Sequence, residues 1–175
     1  MMATSVTILS GWALYSQQAS LNRLFYFKSH HIWIGIFSAL FLYGVFWAGR
    51  ALINIIFMQS GHFIQSIYQT KQNTSPMTIS LLLLCIIGPG EEIFWRGYIQ
   101  HTLTKKTGIT SGYFFSVFLY ILVHIWSCNP LLLIASGICG LFWGWLFLRT
   151  RTLWPGIISH ALWDILVFVL FPLAA

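Results

Sequence analysis

The stretch Gly88–Gly97, GPGEEIFWRG, sets two adjacent glutamates and an arginine inside a run that otherwise reads as a membrane span, with LLLLCII ahead of it and IFW within it. The surrounding chain of 175 residues is 58% hydrophobic and 18% aromatic, with only 7% charged residues. Those proportions exclude an ordinary soluble domain. Five long apolar runs follow one another: about Ile32 to Phe57, Ile79 to Gln100, Gly112 to Trp126, Leu131 to Leu148 and Leu153 to Phe171. A helix rises about 1.5 Å per residue, so ~20 residues cross a hydrocarbon core of ~30 Å. Most of the runs reach that length, and the third does so if it begins nearer Ile109. The expected fold is all-α, a polytopic transmembrane bundle of five or six spans enclosing a polar cavity. Residues 1–31 are expected to form an N-terminal amphipathic arm or an extra short span, and residues 32–175 the bundle. The polar stretch Gln59 to Pro76 reads as an outer loop.

Charge sets the expected orientation. Arg23 and Lys28 precede the first long run, Lys105 and Lys106 separate the second from the third, and Arg149 and Arg151 separate the fourth from the fifth. If the spans alternate, all three pairs fall on one side, which the positive-inside rule makes cytoplasmic, with the C-terminus outside. The net charge of +6 is spread thinly over these short loops. It reads as a topology signal that favours an anionic lipid bilayer, with no nucleic-acid partner. Cys85, Cys128 and Cys139 are odd in number and lie within or beside apolar runs, which suits packing residues and no disulfide framework.

The chain has three acidic residues, Glu91, Glu92 and Asp164, and every one falls inside an apolar run. An ionisable side chain in mid-bilayer costs at least about 2.5 to 3.5 kcal/mol and is tolerated when paired or facing a wet cavity. At ~100° per residue, Glu92 and Arg96 lie within about 40° of each other and can form an intrahelical ion pair. Glu91 points about 140° away from Arg96 and is left over, so it needs partners on another helix or a raised pKa. The intramembrane histidines are the candidates. His124 closes the third run in YILVHIW; His160 precedes Asp164 by one helical turn in SHALWD, where the two can share a polar cavity. Gly88-Pro89-Gly90 makes a straight, fully bonded helix difficult beside Glu91, which frees carbonyls there and admits water. His30, His31, His62 and His101 are read as bystanders. Gly137, Gly140 and Gly144 are read as small residues at a helix contact.

Glu91-Glu92-x-x-x-Arg96, then Tyr120-x-x-x-His124, then His160-x-x-x-Asp164, in this order over three hydrophobic regions, resembles the CPBP (ABI) intramembrane proteases, relatives of the type II CAAX prenyl endopeptidase. The likeness covers roughly Leu81 to Phe168, within a core at about 79–171. Tyr120 stands where the family usually has Phe, and Asp164 where the prenyl endopeptidases have Asn. The resemblance implies a glutamate-type endopeptidase that hydrolyses a peptide bond of a membrane-embedded or lipid-associated peptide or protein. Glu91 would be the general base, His124 would help bind the water, His160 would stabilise the oxyanion or protonate the leaving amine, and Asp164 would be its neighbour. Glu92 and Arg96 would brace the site. Amide hydrolysis needs the same set on chemical grounds: a base near the water, a donor for the oxyanion and an acid for the amine.

No cofactor is favoured. The alternative is a zinc held by Glu91, His124 and His160, which removes the best base from its role. Two other classes of function compete: a non-catalytic member of the same family with an immunity or binding role, and a proton-coupled carrier, which the lack of a visible repeat disfavours. The expected location is a bacterial inner (plasma) membrane.

Overall fold

A computed structural model describes residues 2–56, 60–69 and 74–173. The ends of the residue ranges expected above at Met1, Phe57, Gln59 and Ala175, residues 70–73 of the expected outer loop, and the side chain of His62 lie outside the described residues. Among these residues the regular secondary structure is all helical, joined by short turns, with no strand. We name the helices α1 (Met2–Ser16), α2 (His30–Ile56), α3 (Ser60–Gln69), α4 (Pro76–Thr107), α5 (Ile109–Leu122), α6 (Pro130–Thr150) and α7 (Trp154–Leu170). Among the described residues, four stretches are long and apolar enough to cross a membrane: His30–Ile53, Pro76–Thr107, Ile109–Ser127 and Pro130–Thr150. The last helix, Trp154–Leu170, is apolar and shorter. Large apolar side chains cover the outer faces, with Phe37, Phe41, Phe114 and Phe118 all more than half exposed. A hydrocarbon solvent tolerates such a surface and water does not.

Local signals in the sequence punctuate the bundle. Ser75 caps α4, its hydroxyl accepting from Thr78 N–H at 3.2 Å ahead of Pro76. Asn129 caps α6 in the same way, accepting from the N–H groups of Leu131 and Leu132. Gly108 separates α4 from α5 at φ +89°, a left-handed conformation that side-chain-bearing residues rarely adopt. Arg151 ends α6 in the left-handed region, its N–H bonded to Phe147 O at 2.9 Å.

The basic segments gather at one end. Thr152 Oγ1 donates to Leu24 O and Tyr26 O, and Trp154 Nε1 to Phe25 O, each at 2.9 Å, which ties the α6–α7 turn to the segment containing Arg23 and Lys28. Gln17 Nε2 donates to Thr102 Oγ1 at 3.0 Å and ties the end of α4, with Lys105 and Lys106, to the same end. Helix α1 lies along α4; its apolar side chains are spread around the helix instead of being gathered on one face.

The stretch expected to be an outer loop contains a helix, α3. Its composition is polar, yet Phe63, Ile64, Ile67 and Tyr68 recur at helical spacing and turn inward while Gln65 and Ser66 face out. Asn129 Nδ2 donates to Phe63 O and Ser66 Oγ, and Tyr68 OH donates to Val167 O at 2.9 Å while accepting from Leu173 N–H. These bonds hold α3 to α6 and α7. The central core is built by Ala39, Leu42, Tyr120, Cys139, Trp143, Trp163 and Val167 from α2, α5, α6 and α7.

Candidate active site

Helix α4 carries the two glutamates on an irregular backbone. The α-helical segment Gly88–Glu92 is flanked by wider π-helical windings at Leu83–Ile87 and Ile93–Gln100. Pro89 has no N–H to continue an i→i−4 ladder, and Gly88 N–H reaches back five residues to Leu83 O. The helix therefore continues through the motif by widening, where the sequence suggests a break. Two glycines let neighbours close on it. A Cβ at Gly88 would lie 3.1 Å from Ala161 Cα on α7, and one at Gly90 would collide with Val6 of α1.

The glutamates face different partners. Glu92 is 1% exposed and Glu91 9%. Arg96 Nη1 lies 3.0 Å from Glu92 Oε1, the intrahelical pair the spacing predicts. The Nη1–H direction misses the oxygen, so the attraction is coulombic and not a formed hydrogen bond. The same Oε1 accepts a 2.9 Å hydrogen bond from His160 Nδ1–H, 68 residues further along the chain. Sequence reasoning missed this contact. It placed Asp164 one turn from His160, where the two can share a polar cavity; both line one cavity, with Asp164 Oδ2 3.7 Å from His160 Nε2, outside hydrogen-bond range. The imidazole is held instead by Glu92 at one edge and by Trp143 on its face, with ring centroids 3.7 Å apart and planes within 17°. Trp143 is fixed in turn by its Nε1–H donating to Ser159 Oγ at 3.1 Å.

Glu91 finds its partner on α5. Tyr120 OH donates to Glu91 Oε2 at 3.0 Å, and Tyr120 O accepts from His124 Nδ1–H at 2.8 Å. The second bond fixes the His124 tautomer with a lone pair on Nε2. The hydroxyl that distinguishes Tyr120 from the family's usual Phe thus bonds directly to the carboxylate. The only signal for it in the sequence was Tyr in place of Phe. The Arg96 guanidinium sits 4.9 Å from the Tyr120 ring centroid and 5.5 Å from that of Trp143. Gln100 Nε2 donates to Gly144 O at 2.9 Å and draws α4 onto α6. Cβ atoms at Gly140 and Gly144 would meet Tyr120 and Tyr113 of α5 at 3.1 and 2.9 Å, in keeping with the close helix contact expected of these glycines.

Glu91, His124, His160 and Asp164 line one cavity of about 350 Å³, together with Tyr120 and Trp143. Glu92 and Arg96 stand behind its wall. Among the described residues, no three His, Cys, Asp or Glu side chains are gathered closely enough to hold a metal ion. His31 and His101 have partners elsewhere: His31 Nδ1 accepts from Lys28 N–H and His101 Nδ1 meets Gln17 Oε1. The three cysteines are free.

Residues 73–166, more than half of the chain, match the family described as type II CAAX prenyl endopeptidase Rce1-like. The chain belongs to the Rce1-like family. This is a family of intramembrane proteases, and the Rce1-like match spans Glu91, Glu92, Arg96, Tyr120, His124, His160 and Asp164. No curated protein and no solved structure matches the chain.

Proposed function

We propose that this Rce1-like protein is a glutamate-type intramembrane endopeptidase that cleaves a membrane-associated peptide or protein tail. The observation that carries the reading is the cavity, inside a largely apolar bundle, that Glu91 shares with His124 and His160. One oxygen of Glu91 is taken by Tyr120, which leaves the other to accept a proton from water. His124 Nε2, bare because Nδ1–H is bonded to Tyr120 O, accepts a hydrogen bond from the same water and orients it. The water oxygen adds to the scissile carbonyl carbon as its proton passes to Glu91. His160, when protonated, presents Nε2–H to the oxyanion while Nδ1–H remains on Glu92. Collapse of the tetrahedral intermediate breaks the C–N bond, and the proton held by Glu91 goes to the leaving amine. Arg96 balances the charge of Glu92, so that this carboxylate positions His160 without taking its proton. No step is routed through a metal. The basic ends of the helices are read as cytoplasmic.

The test is a cleavage assay in lipid or detergent with candidate membrane tails, comparing wild type with Glu91→Gln and His160→Ala. Loss of a general base or of oxyanion stabilisation lowers turnover by about 10² or more. Turnover that persists at the wild-type level in both variants overturns the assignment.

A further inference from the structure

Trp12, Trp33, Trp47 and Trp126 are more than half exposed, as side chains that meet lipid or its edge are, whereas Trp143 is 1% exposed. It lies on α6 in the wall of the catalytic cavity and stacks on His160 of α7, with ring centroids 3.7 Å apart and planes within 17°. Its Nε1–H donates to Ser159 Oγ at 3.1 Å, and Ser159, 0% exposed, immediately precedes His160. The indole is thus bonded to the same turn of α7 that carries the imidazole it covers. A buried indole needs an acceptor for its N–H, and a core position that only needs filling is met more simply by Leu or Phe, which bring no donor.

The stack supplies what the hydrogen bond to His160 lacks. The χ2 torsion of histidine is broad, without narrow wells that fix the ring plane. The bond from Nδ1–H to Glu92 Oε1 at 2.9 Å pins one atom, and a hydrogen bond tolerates about 30° of misalignment before it weakens. Rocking about χ2 within that tolerance moves Nε2, on the far side of the ring, to either side of its mean position. A flat surface in van der Waals contact blocks that motion on one face, and an aliphatic side chain, which is not flat, does so less well. When the imidazole carries its second proton, the negative face of the indole also attracts it. Arg96 Cζ lies 5.5 Å from the Trp143 ring centroid and 4.9 Å from that of Tyr120, whose hydroxyl holds Glu91. One guanidinium therefore packs on both the ring that holds the base and the ring that holds the imidazole.

We propose that Trp143 is a positioning residue for the reaction: locked by Ser159, its face sets the plane of His160 and so the direction in which Nε2–H meets the oxyanion. This role rests on the endopeptidase reading and adds to it a residue that acts through His160. Ser159 belongs to the same unit, because its hydroxyl fixes the orientation of the indole.

The test uses Trp143→Phe, which keeps an aromatic face and loses the N–H, Trp143→Leu, which loses the face, and Ser159→Ala. In the full-length protein, labelled with [13Cε1]histidine in dodecylmaltoside micelles, the His160 Cε1–H signal is assigned by its disappearance in His160→Ala. Stacked on the indole, that proton is expected well upfield of its position in Trp143→Leu, and Trp143→Phe keeps part of the shift. Turnover is followed with quenched-fluorescent peptides bearing a run of leucines. Trp143→Leu is expected to lower kcat about 10²-fold with KM little changed, the cost of misplacing one reacting group by about 1 Å. Trp143→Phe and Ser159→Ala each lose about fivefold in kcat, the worth of one neutral hydrogen bond, and the double variant loses no more than Trp143→Phe alone because both changes remove the same bond. A His160 signal at the same position in wild type and Trp143→Leu overturns the proposal. So do costs of Trp143→Phe and Ser159→Ala that add in full, or a loss that falls on KM with kcat unchanged, which would make the indole a substrate contact. If Trp143→Leu does not fold, the Trp143→Phe spectrum and the cycle with Ser159→Ala decide. A shifted His160 signal in a wild type that cleaves no tail would sink the endopeptidase reading and leave the stacked platform standing; cleavage at the wild-type kcat in Trp143→Leu would sink the positioning role alone.

Discussion

Gly156→Ala is the substitution whose cost the structure specifies most closely. A Cβ at Gly156 would lie 2.7 Å from Glu92 Oε2 and 3.4 Å from Glu92 Cδ. That is closer than nonbonded carbon and oxygen normally come, so one of them must move. The carboxylate has little freedom to do so, because its other oxygen is held at 2.9 Å by His160 and at 3.0 Å by Arg96. Breaking a buried charge pair and leaving an uncompensated ion costs about 3–5 kcal/mol. Replacing glycine by alanine in a helix returns at most about 1 kcal/mol. The net expectation is a loss of about 2–4 kcal/mol of stability, from those two magnitudes. Gly44→Ala is the control: a Cβ there meets nothing within 4 Å, so only the helix-propensity gain of about 0.5–1 kcal/mol remains. Denaturant unfolding in detergent, followed by near-UV circular dichroism, measures both variants. The double variant Glu92→Ala, Gly156→Ala completes the cycle, because removing the carboxylate removes the collision and the two costs should not add. If Gly156→Ala unfolds at the wild-type midpoint, or if its cost adds fully to that of Glu92→Ala, the proposed crowding around Glu92 is wrong.

Two further expectations concern the reaction. Tyr120→Phe removes one hydrogen bond to a carboxylate, worth about 1.5–3 kcal/mol, while keeping the ring that packs on Trp95 and beneath Arg96. The variant should lose up to about 3 kcal/mol of unfolding stability while still folding cooperatively, and roughly ten- to a hundredfold in kcat/KM. Chelation followed by dialysis should leave cleavage at the untreated rate, with substoichiometric metal found by elemental analysis of the purified protein. Activity that disappears with the chelator and returns with zinc would move Glu91 from base to ligand.

The sequence alone determined the solvent and the inventory of this protein. Apolar runs of spanning length can be satisfied only in a bilayer, and three basic pairs in alternate turns gather at one end of the bundle once the helices alternate. With three acids in 175 residues, all in apolar runs, the candidate chemistry was legible before any coordinates. So was the Glu92–Arg96 pair, because two residues four apart on a helix meet whatever the rest of the chain does. The contacts that organise the site were not legible in this way. Glu92 meets His160 across 68 residues, Glu91 meets Tyr120 across 29, and Trp143 stacks on His160 from a third helix. Spacing along a chain says which face a side chain takes on its own helix. The rotation and approach of two packed helices are set by side chains on both, here by glycines that admit Ala161 beside Gly88 and Glu92 beside Gly156, and only the assembled bundle shows which partner each carboxylate meets.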